Sequence, residues 1–319
     1  MPITLSVIIP CYNLENYIER CLNSIISQIH DRGIEIIAID DGSRDNTLDI
    51  LNKYQSIYPS LRVMSQKNAG PATARNRGVE LARGNYIWFI DGDDYIMQGA
   101  IELIWPHLNR GYDLITFNYF MKETDGLKKK GPFASYAEIK ASRLIEMGSL
   151  LACNRILKRE LFEKVKYPEG LINIEDLVFN LSVSPFVKTV LTIPDPIYIY
   201  ERTNIMSTSV NTTKRHLIRK YNETLIAHKI LMEKLDTIEN KELRESFIKV
   251  LNKSFTGCIF SLLRFYNCRF VRNTVKLYEG WGVYPFKYAG NYRMKAFTFM
   301  VNHKSLWRAY PLIKGLIPH

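Results

Sequence analysis

No apolar run in the sequence approaches the roughly 20 residues that a membrane-crossing helix needs; the longest, such as Tyr86 to Ile90, are of strand length. Met1-Pro2-Ile3-Thr4 puts no basic segment ahead of an apolar core, so no secretory signal peptide is expected. Cysteine is sparse and unpatterned. The five residues Cys11, Cys21, Cys153, Cys258 and Cys268 form no C-x-x-C pair and none sits at metal spacing from a histidine. That excludes a zinc ribbon and argues for buried thiols in a reducing, cytoplasmic compartment. No G-x-G-x-x-G follows a strand, which excludes a dinucleotide-binding dehydrogenase. Repeats and low-complexity segments are also missing.

Acidic residues run short in one region only. From Asn211 to His319 there are 20 Lys/Arg against 7 Asp/Glu, while the whole chain carries a net charge of +11, so the first 210 residues carry about −2. The basic excess therefore belongs to the C-terminal third and calls for an anionic partner there alone. The hydrophobic fraction of 46% is ordinary for a folded protein of this length, which has room for one large domain and an appendage.

What is present is an alternation. Leu5 to Pro10 reads as a buried strand, and Ile18, Cys21, Leu22, Ile25, Ile26 and Ile29 fall on one face of a helix that Asn13 can cap. Ile34 to Asp40 is the next strand, followed by a helix that Asp45 can cap, carrying Leu48, Leu51 and Tyr54. Leu61 to Ser65 is a third strand, Pro71 to Ala82 a helix with proline in its first turn, and Tyr86 to Ile90 a fourth strand. Continuous apolar strands between amphipathic helices imply a parallel sheet covered on both faces. Lys122 to Pro132 is a polar loop or hairpin tip, Ala137 to Val190 is mixed and mainly helical, and a strand lies near Thr189 to Ile193. Beyond a boundary near Val210 come long helices, with Ile218, Tyr221, Leu225, His228 and Met232 on one face and Phe247, Leu251, Ser254 and Cys258 on another.

Three polar clusters follow three of the strands: Pro10-Cys11-Tyr12-Asn13, Asp40-Asp41-Gly42-Ser43 and Asp91-Gly92-Asp93-Asp94. Ligands of open parallel sheets bind beyond the carboxyl ends of the strands, so neighbouring strands would bring these clusters to one crevice. Asp-Gly pairs are also common turn formers, and Asp41 alone is as much a turn as a site. Together, the carboxylates repel one another unless a cation sits among them, and oxygen ligands suit magnesium or manganese.

The strings V-I-I-P-C-Y-N, I-D-D-G-S-R-D-N-T, N-A-G-P-A-T-A-R-N-R-G and Y-I-W-F-I-D-G-D-D, with the later G-L-I-N-I-E-D-L-V-F, resemble glycosyltransferase family 2 over roughly residues 3 to 205. The resemblance implies an α/β fold of GT-A type: a mostly parallel twisted sheet flanked by helices, followed by a mainly helical appendage. It also implies a catalytic domain over 1–210, with 1–120 as the nucleotide-sugar half and 121–210 as the acceptor half, and a basic, aromatic-rich region over 211–319. By resemblance, Pro10 and Tyr12 would line the nucleotide pocket, Asn13 would orient its loop, and Asp41 would accept from the uracil N–H. Asn68 and Arg75 would contact the donor, Arg75 through its phosphates or the neighbouring carboxylates. Asp91-Gly92-Asp93 matches the family's D-x-D element, with Asp93 a direct ligand of manganese or magnesium, Asp91 between ribose and metal, and Asp94 an extra acid behind them. Asp176 matches the general base, with Glu175 the reserve candidate. Acids also favour the first turn of a helix, and this pair can be read that way too. Arg202, ahead of Ser207 and Ser209, resembles an arginine that approaches the diphosphate as the site closes, and Arg155 would also face the site.

The implied activity is inverting transfer of a sugar from a UDP-sugar to a hydroxyl of a saccharide or lipid-linked saccharide, in polysaccharide synthesis. Two alternatives stay open. A sugar-nucleotide pyrophosphorylase would need a Gly-rich loop with Arg and Lys where the first strand instead ends P-C-Y-N. A non-catalytic nucleotide-sugar-binding protein would not need the full set Asp41, Asp91, Asp93 and Asp176. Phe247 to His319 holds 12 Lys/Arg, one acid (Glu279) and 16 of the 38 aromatic residues. That mixture suits an anionic membrane surface at the inner face of the cell membrane, a homo-oligomer contact, or an ordinary packed helical appendage. No nucleic-acid motif accompanies the charge, so nucleic acid is not expected as a partner.

Overall fold

The computed structural model describes residues 2–30, 32–148, 150–204, 213–265, 268–287, 292–304 and 307. The chain divides into two compact units, Met1–Glu223 and Thr224–His319. The boundary expected near Val210 lies outside the described residues.

The first unit opens as β1 (Leu5–Cys11), α1 (Ile18–Ile29), β2 (Ile34–Asp40), α2 (Thr47–Ile57), β3 (Leu61–Ser65), α3 (Pro71–Leu81) and β4 (Tyr86–Phe89). β1 pairs in parallel with β2 and β4, and β2 pairs in parallel with β3. Every residue of β2 and β4 is buried, because helices cover both faces, and this is why the strands read as near-continuous apolar runs, broken in β2 by Glu35, rather than as alternations. Pro71 stands in the first turn of α3, where its missing N–H costs nothing. Asn13 does not cap α1, which begins at Ile18; it takes φ +53° and its Oδ1 accepts from the Arg44 N–H at 2.8 Å. Asp45 does work at the start of α2, its Oδ1 accepting from the Thr47 N–H at 3.0 Å.

Then come β5 (Tyr95–Ile96), α4 (Ala100–Leu108), β6 (Leu114–Glu123), β7 (Gly126–Lys130), β8 (Ala137–Ile139), α5 (Ala141–Met147), β9 (Arg155–Lys158), α6 (Leu161–Lys164), α7 (Glu175–Val183) and β10 (Val190–Glu201). The sheet runs β3-β2-β1-β4-β9-β6-β10-β5, with β7 on β6 and β8 on β10. The expected parallel order thus holds for β1 to β4, and the second half is mixed. β9 lies antiparallel between β4 and β6, and the 122–132 segment closes as a β6–β7 hairpin with Glu123 opposite Gly126.

α8 (Lys214–Leu235) begins in the first unit and ends in the second, which continues with α9 (Lys241–Phe265), α10 (Cys268–Gly280) and α11 (Tyr292–Asn302). The buried stripe of α8 in the second unit is Ala227, His228, Leu231 and Leu235, so the expected face is displaced, and Ile218 is 40% exposed. Phe247, Leu251, Phe255 and Ile259 of α9 and Val271, Val275 and Tyr278 of α10 complete this core. His228 is held between Tyr278 Oη and Ser254 Oγ, each at 2.8 Å, and burial drives its pKa down to about 3, so the ring stays neutral. Cys11, Cys21, Cys153 and Cys258 are buried free thiols, as expected; the side chain of Cys268 lies outside the described residues. Among the described residues, no helix is long and apolar enough to cross a membrane.

Candidate active site

Because β2, β1 and β4 are parallel neighbours, their carboxyl ends converge, and the Asp41 N–H donates to the Cys11 carbonyl at 2.8 Å. Pro10 is half-buried and the Tyr12 ring is 43% exposed at this mouth. Asn13 is tied across to the β2 end, its N–H donating to Ser43 Oγ at 3.1 Å.

The two acid clusters differ in their partners. Asp40 accepts from the Ser43 N–H at 3.2 Å and from Ser65 Oγ at 2.8 Å. Asp41 Oδ1 accepts from Gln66 Nε2 at 2.8 Å and the Ala69 N–H at 2.9 Å, and its Oδ2 accepts from the Gly70 N–H at 2.8 Å. Asp41 therefore pins the 66–70 loop, and only the remaining lone pair of Oδ2 is left for a base N–H. Gly42, at φ +72°, lets that loop close: a Cβ there would stand 2.9 Å from the Asn68 nitrogen. Asn68 itself is exposed.

At the β4 end the carboxylates gather round one cation. Arg75, on the first turns of α3 and 4% exposed, places Nη2 2.9 Å from Asp91 Oδ1 and Nη1 2.9 Å from Glu175 Oε1 and 3.6 Å from Asp176 Oδ1. Burial opposes its charge, but Asp91, Asp176 and Glu175 together hold it protonated. Of the two roles open to Arg75, the structure shows the carboxylate contact. One guanidinium cannot neutralise this many acids. Burial and the neighbouring Asp91 push Asp93 up to about 6, and burial with the neighbouring Asp176 pushes Glu175 up to about 7. Asp176 is also raised, chiefly by burial, with Arg75 opposing. Its Oδ2 accepts from the Ala152 N–H at 2.9 Å, while its buried Oδ1 accepts no hydrogen bond.

This donor set fits a hard divalent cation. Asp91 and Asp93 are all-oxygen ligands, both only half-buried, and their mutual repulsion would be relieved by a positive ion. Asp93 Oδ2 accepts from Asn204 Nδ2 at 2.9 Å, and Arg20 Nη2 donates to the Asp93 carbonyl at 2.7 Å. Asp94 is 1% exposed and already engaged, accepting from Tyr198 Oη and from the Glu201 N–H. Cys153 comes with Asp91 and Asp94 into a group whose ligand atoms lie within 4.8 Å of one another. Burial and those two acids push the thiol well above its ordinary range, so it keeps its proton and adds no ligand that magnesium or manganese would take.

Three further residues expected at the site, Gly92, Arg155 and Arg202, have these surroundings. Gly92 is buried, and a Cβ on it would meet Leu14 Cδ1 at 2.6 Å, so its smallness serves packing under the loop rather than a ligand. Arg155 is 1% exposed and donates to Asn180 Oδ1 at 2.7 Å beneath α7; burial lowers its pKa to about 10. It does not open onto the crevice. Arg202 is exposed, with its backbone N–H on the Lys122 carbonyl at 3.0 Å, and Ser207 and Ser209 lie outside the described residues. Sequence reasoning missed Tyr198, Asn204 and Arg20. Tyr198 falls in an apolar strand and Arg20 on a helix among solvent-facing positions, so neither carries a local signal; only strand order brings them to the β4 end.

A family model, Glycosyl transferase family 2, matches residues 6–166. The chain is 30% identical over 212 residues to the uncharacterized glycosyltransferase EpsJ of Bacillus subtilis, a match covering 61% of this chain and 60% of that protein. It is 30% identical over 205 residues to the poly(ribitol-phosphate) beta-glucosyltransferase of Bacillus spizizenii, covering 61% of this chain and 32% of that one. Less than two thirds of the length of either relative is spanned. The crystal structure of S. aureus TarS 1–349 in complex with UDP-GlcNAc superposes with a TM-score of 0.75 at 20% identity, covering 97% of this chain and 92% of that one, a likeness of fold.

Proposed function

The chain belongs to glycosyl transferase family 2, and we propose that it is an inverting, metal-dependent enzyme. In this reading it transfers a sugar from a UDP-sugar to a hydroxyl of a saccharide or lipid-linked saccharide acceptor, in cell-surface polysaccharide synthesis. The observation that carries the proposal is the surplus of carboxylates round Arg75, with one Asp176 oxygen accepting no hydrogen bond. TarS binds UDP-GlcNAc in its crystal, and one relative is named for glucosyl transfer to poly(ribitol-phosphate); both support this donor and acceptor class.

Asp93 and Asp91 would hold magnesium or manganese, which when bound supplies positive charge against the diphosphate leaving group. Tyr12, Pro10 and Asn13 would frame the nucleoside, with Asp41 shaping the loop that faces it and Asn68 at its rim. Arg75 fixes Asp91 and Glu175 at set distances and keeps Glu175 occupied. Asp176 is then the carboxylate to take the proton of the attacking hydroxyl: its side chain is 24% exposed, Ala152 anchors its Oδ2, and its Oδ1 accepts no hydrogen bond. Asp176 as base, with Glu175 held by Arg75, fits a single displacement, which inverts the anomeric centre. A double displacement would need an unencumbered nucleophile as well.

The second unit bears the basic excess, and Phe270, Leu277 and Phe299 are exposed at 41%, 44% and 58% among the exposed cations Arg272, Lys276 and Lys295. Exposed aromatics interleaved with cations support a peripheral contact with an anionic membrane, where a lipid-linked acceptor would be met. The deciding experiment is release of UDP from a panel of UDP-sugars with manganese, in the wild type, Asp93→Ala and Asp176→Asn. Both variants should lose turnover, and only Asp93→Ala should lose manganese-dependent UDP binding. Retained turnover in Asp176→Asn would remove Asp176 from the base role.

A further inference from the structure

A general base needs a fixed direction as well as a free oxygen, since a misplacement of about 1 Å can cost on the order of 100-fold in rate. Asp176 sits in the first turn of α7, the end of a helix most prone to fray. Its helix macrodipole and Arg75 favour its charge but do not set its direction. What sets it lies one turn on.

Asn180 is 1% exposed and uses its whole side chain. Its Nδ2 donates to the Leu150 carbonyl at 3.0 Å and to the Asp176 carbonyl at 2.8 Å, while its Oδ1 accepts from Arg155 Nη1 at 2.7 Å. Leu150 belongs to the segment whose Ala152 N–H holds Asp176 Oδ2, so this segment grips α7 twice: at the carboxylate of Asp176 and, through Asn180, at its backbone. The segment is itself fastened to the sheet. Trp88 Nε1 donates to the Cys153 carbonyl at 2.9 Å, Thr116 Oγ1 to the Asn154 carbonyl at 3.0 Å, and Asn154 Nδ2 to the Phe117 carbonyl at 3.1 Å. A continuous path of hydrogen bonds therefore runs from β4 and β6 to the candidate base.

We infer that Asn180, braced by Arg155, is a positioning residue that aims Asp176 at the acceptor oxygen. The inference rests on the base role given to Asp176 above. Asparagine suits the task because it alone among residues of this size offers two donors to carbonyls and one acceptor to a cation.

Asn180→Asp tests it, keeping the volume and the acceptor facing Arg155 while removing both donors. With the UDP-sugar that the wild type hydrolyses fastest, kcat for UDP release should fall about 30-fold, with KM for the donor unchanged within about twofold. A double variant, Asp176→Asn with Asn180→Asp, should be no slower than Asp176→Asn alone, because a positioning residue has nothing left to position. Leu51→Ala, which opens a core cavity under α2, controls for stability: it should lower Tm yet hold kcat. The inference is overturned if Asn180→Asp keeps kcat within about threefold, or if its loss adds in full to that of Asp176→Asn, or if Leu51→Ala loses kcat alike. A wild type that hydrolyses no UDP-sugar sinks the parent reading and this one with it, whereas wild-type turnover with an unaffected Asn180→Asp sinks this one alone.

Discussion

Two acid clusters stand at the ends of neighbouring strands, and they have opposite physics. Asp40 and Asp41, after β2, are met by neutral donors from Ser43, Ser65, Gln66, Ala69 and Gly70. Asp91, after β4, shares the Arg75 guanidinium with Glu175 and Asp176, and Asp93 beside it is pushed up to about 6 by burial and by Asp91. Residue type and topological position are the same. What differs is whether neutral donors answer both oxygens of the carboxylate or other charges crowd it, and that separates a loop staple from a place that wants a cation.

The comparison breaks most visibly through the base. Asp176→Asn should cut turnover by about 10³-fold with UDP binding intact, the middle of the range for removing a general base; steady-state kinetics with calorimetry decides it. Asp93→Ala should abolish the thermal shift that manganese adds to UDP, leaving the shift with UDP alone. Asp41→Asn should act the other way, lowering stability by about 1–3 kcal/mol by setting an amide N–H against the Ala69 or Gly70 N–H, with manganese dependence unchanged. If Asp41→Asn keeps its Tm and loses all UDP affinity, the staple reading of Asp41 fails.

The pH dependence sharpens the same contrast. Asp93 and Glu175 have raised folded pKa values, about 6 and about 7, so the folded state keeps protons that the unfolded chain has released. Their stabilising contribution is whole below the ordinary carboxylate range and is lost as pH rises through 6 to 7. The metal-free protein should melt a few degrees higher at pH 5 than at pH 8, and manganese with UDP should flatten that slope. A metal-free Tm that climbs over this window contradicts the crowding of charge. The smallest effect belongs to the second unit. Lys276→Ala should weaken co-sedimentation with phosphatidylglycerol vesicles about fivefold, each cation near such a surface contributing ~1 kcal/mol, and leave donor hydrolysis unchanged. Equal sedimentation with phosphatidylcholine vesicles would dispose of the membrane contact.

The parallel β1–β4 half was legible from the sequence because its signals are local: apolar runs of strand length, helical periodicity, Pro71 opening α3, and acidic turns where strands stop. Locality did not reveal that Gly92, inside the candidate ligand loop, has Leu14 packed where a Cβ would stand. Nor did it reveal that Arg155, a cation after Cys153 and Asn154, is buried against Asn180.

The sequence by itself determined which strands end in acid and that Glu175 and Asp176 open a helix, since turn chemistry and periodicity act over a few residues. Only the tertiary structure decided that Arg75 would reach Asp91 and Glu175, 16 and 100 residues away, and that Tyr198 would come to lie against Asp94. Those meetings follow from β9 entering beside β4 and β10 lying beside β6, pairings set by the register of the whole sheet and by no nearby residue.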